Sequence, residues 1–309
     1  MKKLLLLFTI SVVSLNLYAI RVDKVPLQQL IDSSEYIFYG TVISTSAVEK
    51  AKEQELAAKY DYWIYCNEIE YVAKLKVLKK LKGELIFDTV SITYRCGYNG
   101  YCGGYVPNDT IVTFLDRHPD GSFFRRSCHF GIKSFGPEQY ADRVNDYLSI
   151  DRNVDSIKYV ATILEWHLKC AEGYYTCDEG MFFLKDHNIR NFGPEGLLIF
   201  DEIQKQRLTN ALLGFQPFLG NHEELLELVG TFNHSPHLKE YIVNNLKRLE
   251  PNSAYLTAAT LMAAYLKFDS RKKLKQLQHR YLKCGLYNYK ELKNQFKIVR
   301  EFVEELDEK

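Results

Sequence analysis

The residue with the most chemistry to account for in this chain is cysteine. Seven of them, Cys66, Cys96, Cys102, Cys128, Cys170, Cys177 and Cys284, are spread over 309 residues. No two are separated by the two-residue gap that structural zinc sites use, so disulfides are expected in preference to a metal centre. Six cysteines can pair in about 15 ways, and spacing alone does not choose among them. Cys170 and Cys177 enclose a short polar loop after a predicted helix and are expected to staple its exit. Cys66, Cys96, Cys102 and Cys128 lie in one half of the chain and are expected to pair among themselves. Cys284 is the odd one, either a buried thiol or the site of an intermolecular bridge.

Other reactive side chains lack the spacing that catalysis needs. The nucleophile elbow Gly-x-Ser-x-Gly, the phosphate loop Gly-x-x-x-x-Gly-Lys and the zinc helix His-Glu-x-x-His do not occur. His234 and His237 are three apart with Pro236 between them at a helix start, which suits exposed loop histidines better than ligands. Cys128-His129 sets a thiol beside an imidazole, but neighbours in a strand point to opposite faces. In Glu165-Trp166-His167 the indole is expected to fill a core or a domain interface. No catalytic residue, cofactor site or metal site is therefore named, and the chain is expected not to be an enzyme.

Two kinds of surface residue remain. Lys74, Lys76, Lys79, Lys80 and Lys82 mark one strand and its exit, and Arg271, Lys272, Lys273, Lys275, Arg280 and Lys283 mark one helix. Each run can meet an acidic polymer or an anionic lipid surface, or be a solvated face. The loop 94–105 carries four tyrosines, Tyr94, Tyr98, Tyr101 and Tyr105, and four glycines. Tyrosine gives contact area at low entropic cost, so this loop is the candidate binding surface; otherwise it covers a barrel end.

Location follows from residues 1–19. Lys2 and Lys3, an apolar stretch over 4–13 and a more polar tail ending at Ala19 have the layout of a secretory signal peptide. Export to the periplasm or the extracellular medium is expected, where disulfides persist. No later stretch is long and apolar enough for a membrane anchor. Loss of Lys2 and Lys3 takes the net charge from +1 to −1, which disfavours nucleic acid as a partner.

The elements that must position these residues change character near Gly136. Strands are expected over 36–43, 69–77, 87–94, 110–117 and 122–128, from period-2 alternation and β-branched or aromatic enrichment. His118-Pro119-Asp120-Gly121 folds the fourth onto the fifth, and 47–60 reads as an inserted helix. After Pro137 the period becomes helical. One helix runs over 137–147, and a second is capped by Asp155 with Ile157, Val160, Ala161, Leu164, Leu168 and Ala171 along one face. Residues 173–196 read as irregular. Helices resume near Asp201 and continue over 236–249, 253–266, 270–284 and 289–306. The expected class is α+β: a signal peptide over 1–19, an OB-like antiparallel barrel over 20–135, and an all-α domain of antiparallel hairpins over 136–309.

The β half resembles the netrin-like domain shared with tissue inhibitors of metalloproteinases. The matching residues are Tyr36-Ile37-Phe38-Tyr39-Gly40-Thr41-Val42, Val77 with Leu81-Lys82-Gly83, Cys96-Gly97, the strand over 110–115, and Cys128. The resemblance implies an OB-like barrel over residues 20–135; it does not reach the helical half. Leu81 stands where family members often have an aromatic. The inhibitors chelate zinc through a mature N-terminal cysteine, and no cysteine precedes Cys66 here, so inhibition by that route is not implied. The family's Cys-Gly cysteine bonds to that N-terminal region; Cys96 is left with Cys128 or Cys102. The resulting expectation is Cys96 with Cys128, Cys66 with Cys102, and Cys170 with Cys177. The function expected is a secreted or periplasmic non-enzymatic binding protein with a protein partner. The alternatives are a modulator of an extracellular hydrolase acting through a barrel loop, or an enzyme with an interdomain site.

Overall fold

The computed structural model describes residues 25–58, 69–84, 87–95, 104–127, 130–185, 200–249, 255–284 and 289–308. In chain order the N-terminal part is α1 (Leu27–Ser33), β1 (Tyr36–Ala47), α2 (Lys50–Ala57), β2 (Glu70–Lys82), β3 (Thr89–Arg95), β4 (Thr110–Arg117), β5 (Phe123–Arg125) and β6 (Ile132–Lys133). The helical part follows as α3 (Pro137–Leu148), α4 (Ser156–Ala171), α5 (Cys177–Lys185), α6 (Glu202–Gly214), a 3-10 turn (Gly220–His222), α7 (Glu223–Phe232), α8 (Pro236–Arg248), α9 (Tyr255–Tyr265), α10 (Lys272–Lys283) and α11 (Tyr289–Asp307).

The strands run in the order β1-β2-β3-β5-β4, and β4 pairs back onto β1 to close a five-stranded barrel. β3 and β5 are parallel and the other pairs antiparallel, while β6 extends the edge of β4. This is the expected OB-like barrel followed by helices. The turn at 118–121 forms the β4–β5 hairpin: Gly121 N–H donates to the His118 carbonyl at 2.8 Å, and Asp120 Oδ1 accepts from Ser122 N–H, also at 2.8 Å. At Gly40 the strands come so close that a Cβ would lie 2.4 Å from the Lys76 carbonyl oxygen. Glycine is required there because no side chain fits.

Burial follows the hydrophobic pattern of each strand. β2 and β3 alternate, with Tyr71, Ala73, Leu75, Val90 and Ile92 inside and lysines or hydroxyls outside. Such strands have one wet face. β1 and β4 instead carry consecutive apolar residues, and Ile37 and Phe38, like Ile111 and Val112, are all buried. Their outer faces need a cover. The cover is α1, α3 and α4: Leu27, Leu30 and Ile31, then Tyr140, Val144 and Tyr147, then Ile163, Trp166 and Cys170 pack on Ile37, Val112 and Phe114. Trp166 fills this junction as expected, and its Nε1–H donates to the Arg143 carbonyl at 2.8 Å. A separate core fills the barrel, and a third runs through the helices from α4 to α11.

Two helices were not legible in the sequence. One is α5, inside the stretch expected to be irregular; the other is α1, inside the stretch expected to be β. At 7 residues α1 is too short to be stable alone, and distant groups hold both its ends. Glu179 Oε2 accepts the Leu27 N–H at its start (3.3 Å), and Lys82 Nζ donates to the Ile31 carbonyl at its end (2.6 Å). Asp32 accepts from Tyr147 O–H and from the Arg152 guanidinium, each at 2.7 Å. The α4 stripe is covered only in part, with Leu168 and Ala171 buried but Ile157 and Val160 exposed.

Phe114 on the outer face of β4 is fully buried at this junction. Phe114→Ala is expected to cost about 3–5 kcal/mol and to lower the stability of strands and helices together. Urea unfolding followed by circular dichroism measures this; loss of the sheet signal ahead of the helix signal would contradict a shared junction core.

Candidate functional site at the barrel–helix junction

The junction core leaves a groove along its rim. After β6 the chain passes Ser134 and Phe135 and turns into α3 at Gly136, where φ is +60°. A Cβ at Gly136 would lie 2.0 Å from the Tyr175 ring, so the ring can pack this closely on the backbone only over glycine. That turn sends Phe135 outward, where it is 80% exposed. Pro137 then starts α3 with its ring already fixed for a first helical turn. The groove holds about 500 Å³ between Ile132, Lys133 and Phe135 on one side and Tyr140, Tyr175, Asp178, Leu219 and Asn221 on the other.

Lys133 in its lining belongs to a buried ion pair. Lys133 Nζ lies 2.6 Å from Glu179 Oε1, with the two side chains only 10% and 1% exposed. The ammonium also sits 4.9 Å above the centre of the Tyr140 ring, an attractive cation–π placement. Glu179 is in the first turn of α5, where the helix dipole favours a carboxylate. Burial, helped by the carboxylates of Glu179 and Asp178, raises the Tyr140 hydroxyl far above the ordinary tyrosine range, and that hydroxyl donates to the Tyr175 carbonyl at 3.1 Å.

The far wall is fixed through His222. Its Nδ1 accepts the Leu219 N–H at 3.1 Å and its Nε2 donates to the Tyr174 carbonyl at 2.9 Å. Burial lowers its pKa to about 4, partly opposed by the bond to Tyr174, so it stays neutral and holds the 3-10 turn against 174–175. Asn221 Nδ2 donates to the same carbonyl at 3.0 Å, and Gln139 Oε1 accepts from Tyr175 N–H at 3.0 Å. A second buried histidine, His167, stacks on Phe183 with ring centres 3.6 Å apart and contacts Gln28 Oε1 at 3.2 Å. Burial depresses it to about 3. Both imidazoles position structure.

The residues singled out from the sequence lie elsewhere. Tyr94 and Tyr105 are buried, so they are not part of an exposed binding loop, a correction to the expectation. Tyr94 stacks on Tyr71, Tyr105 packs edge-on to Tyr94, and the Arg125 guanidinium lies 5.4 Å and 6.0 Å from the two ring centres. Tyr105 O–H bonds Thr113 Oγ1 at 2.7 Å, and burial pushes its pKa up to about 12. Together they plug one end of the barrel. Tyr98 and Tyr101 lie outside the described residues, as do Cys66, Cys96, Cys102 and Cys128 and the pairings expected among those four.

The expected bridge between Cys170 and Cys177 is not formed; Cys170 is a buried free thiol, raised well above the usual range by burial. Cys170 faces the junction core and Cys177 the helical core. The loop between them is closed by Thr176 Oγ1 and Gly173 N–H, which donate to the Cys170 carbonyl at 2.8 Å and 3.0 Å. Cys284 is half-buried, with Sγ 3.4 Å from the Arg280 carbonyl. His234 and His237 are exposed.

The basic helix run meets carboxylates of its neighbour: Lys273 pairs with Glu305 and Glu308, and Arg280 with Glu301. Among the described residues no three His, Cys, Asp or Glu side chains gather as a metal site, and no helix is long and apolar enough to cross a membrane. Sequence reasoning missed Lys133, Phe135, Tyr175 and Glu179. Phe135-Gly136-Pro137 was visible as a boundary, but nothing local marks Glu179 as buried.

No family model matches the chain, and no curated protein matches it.

Breaking this ion pair between Lys133 and Glu179 leaves one buried charge without its partner. Glu179→Gln is expected to destabilise the full chain by about 3–5 kcal/mol, while Lys133→Met with Glu179→Leu recovers most of that loss. Chemical denaturation of the single and double variants tests this; equal losses in both would show that packing volume, and not the unpaired charge, sets the cost.

Proposed function

We propose that this chain is an exported, non-enzymatic binding protein that receives part of a protein partner in the junction groove. The carrying observation is Phe135, an exposed aromatic beside an apolar groove whose walls are held in place. Aromatic side chains over well-packed supports are the usual anchors of protein interfaces, and rigid walls reduce the entropy lost on binding. Two of the groove's groups that could move protons are engaged in structure: Lys133 with Glu179, and Tyr140 with the Tyr175 carbonyl. That engagement favours recognition over catalysis at this place.

Export rests on residues 1–19, and with it disulfides among Cys66, Cys96, Cys102 and Cys128. The OB-like strand order supports the netrin-like reading of the barrel. The hydrolase-modulator alternative needs an exposed barrel loop, and burial of Tyr94 and Tyr105 removes those two tyrosines from such a role.

Mature full-length protein immobilised and exposed to envelope extract of its native host is expected to retain a specific protein. Phe135→Asp, at a site too exposed to disturb folding, should lower that retention roughly 30-fold, the effect of losing an interface anchor worth about 2 kcal/mol. Equal retention by both forms, or none by either, would overturn the proposal.

A further inference from the structure

A second surface lies on the barrel wall where β2 and β3 face solvent. β2, β3 and the C-terminal half of β1 turn outer residues toward solvent, and strand register aligns them in rows. Ser44, Lys74 and Ser91 form one row, and Thr41, Lys76 and Thr89 the next. Lys74, Lys76 and Lys79 are exposed and make no ion pair with any described residue. Neither row contains a carboxylate. Glu70 lies at the far end of β2, 3.9 Å from Arg95.

Exposed apolar side chains share this wall. Register shifts fall between Val42 and Ser44 and between Tyr39 and Gly40, the second opposite Val77 and Lys79. The extra residues at these bulges are Ile43 and Leu78, which are 50% and 52% exposed. Phe87, just ahead of β3, is 65% exposed. A single bare apolar residue is ordinary. Three of them close in register to three exposed lysines that make no ion pair with a described residue make a pattern.

From this pattern we infer that the outer wall of β1–β3 docks on an anionic lipid surface. Lysines near such a surface gain electrostatic attraction, and apolar tips that reach below the headgroups add to it. A soluble linear polyanion would use the lysines but has no place for Ile43, Leu78 and Phe87. The attraction is local, since the chain as a whole is close to neutral. The surface is separate from the junction groove, so docking leaves Phe135 accessible.

The test is vesicle flotation of the mature full-length protein at low and at physiological salt. Vesicles of equimolar phosphatidylglycerol and phosphatidylcholine should carry the protein, and pure phosphatidylcholine should not. Lys74→Gln, Lys76→Gln and Lys79→Gln together should weaken binding about 100-fold, from roughly fivefold per lysine. The same three positions changed to Arg should keep it. Leu78→Ser with Phe87→Ser should weaken binding about 10-fold, since both side chains lose their apolar burial. Thermal unfolding checks that each variant is folded. Binding to neither vesicle, equal binding to both, or full binding by the Gln variant would overturn the inference. So would undiminished binding by the Leu78 and Phe87 variant together with equally tight binding of inorganic polyphosphate, which would make the wall a polyanion site.

Discussion

A carboxylate taken out of water must be met by donors inside the protein, and Glu179 finds them in two other parts of the chain. It stands on α5 in the helical part, holds Lys133 of the barrel's last strand, and accepts the first N–H of α1. Desolvating two charges costs several kcal/mol per ion, so such a pair persists only where the surrounding packing fixes its geometry. The junction core supplies that packing. The pair therefore adds little net stability, and its consequence is registry: the barrel, the N-terminal helix and α5 fit together in one arrangement. The groove beside it inherits that arrangement, with Lys133 in its lining and Tyr175 seated on Gly136 as one wall.

The barrel's two kinds of strand explain why helices cover one wall and leave another bare. Consecutive apolar residues in β1 and β4 place large side chains on both faces, and the outward ones need a partner. α1, α3 and α4 provide it. Alternation in β2 and β3 leaves lysines and hydroxyls outside, where water suffices. A single sheet thus presents a buried wall to the helices and a charged wall to solvent, and the two proposed surfaces sit on different sides of the barrel.

Much of this was legible in the sequence. The alternation in 69–77, the turn at 118–121, the cap Asp155 and the break at Gly136 are local signals, and the elements they mark formed with differences in length. α1 was not legible, because a seven-residue helix is stabilised by Glu179 and Lys82, which lie 152 and 51 positions away from their partners in α1. The groove escaped for the same reason. Composition suggested that tyrosines between glycines would face a partner, but Tyr94 follows the inward alternation of β3, and Tyr105 packs against it and bonds Thr113. Cys170 and Cys177 are near in sequence, yet the helices that carry them turn one thiol to each core.

The central claim is that the junction core makes the barrel and the helices a single rigid unit around the groove. Native-state hydrogen exchange on the full chain tests it most directly. The account predicts that amides of α1, β4 and α4 open with one common free energy, equal to that of global unfolding. Exchange of α1 or of the barrel strands at a distinctly lower free energy, with α4 still protected, would mean that the halves open separately and would contradict it.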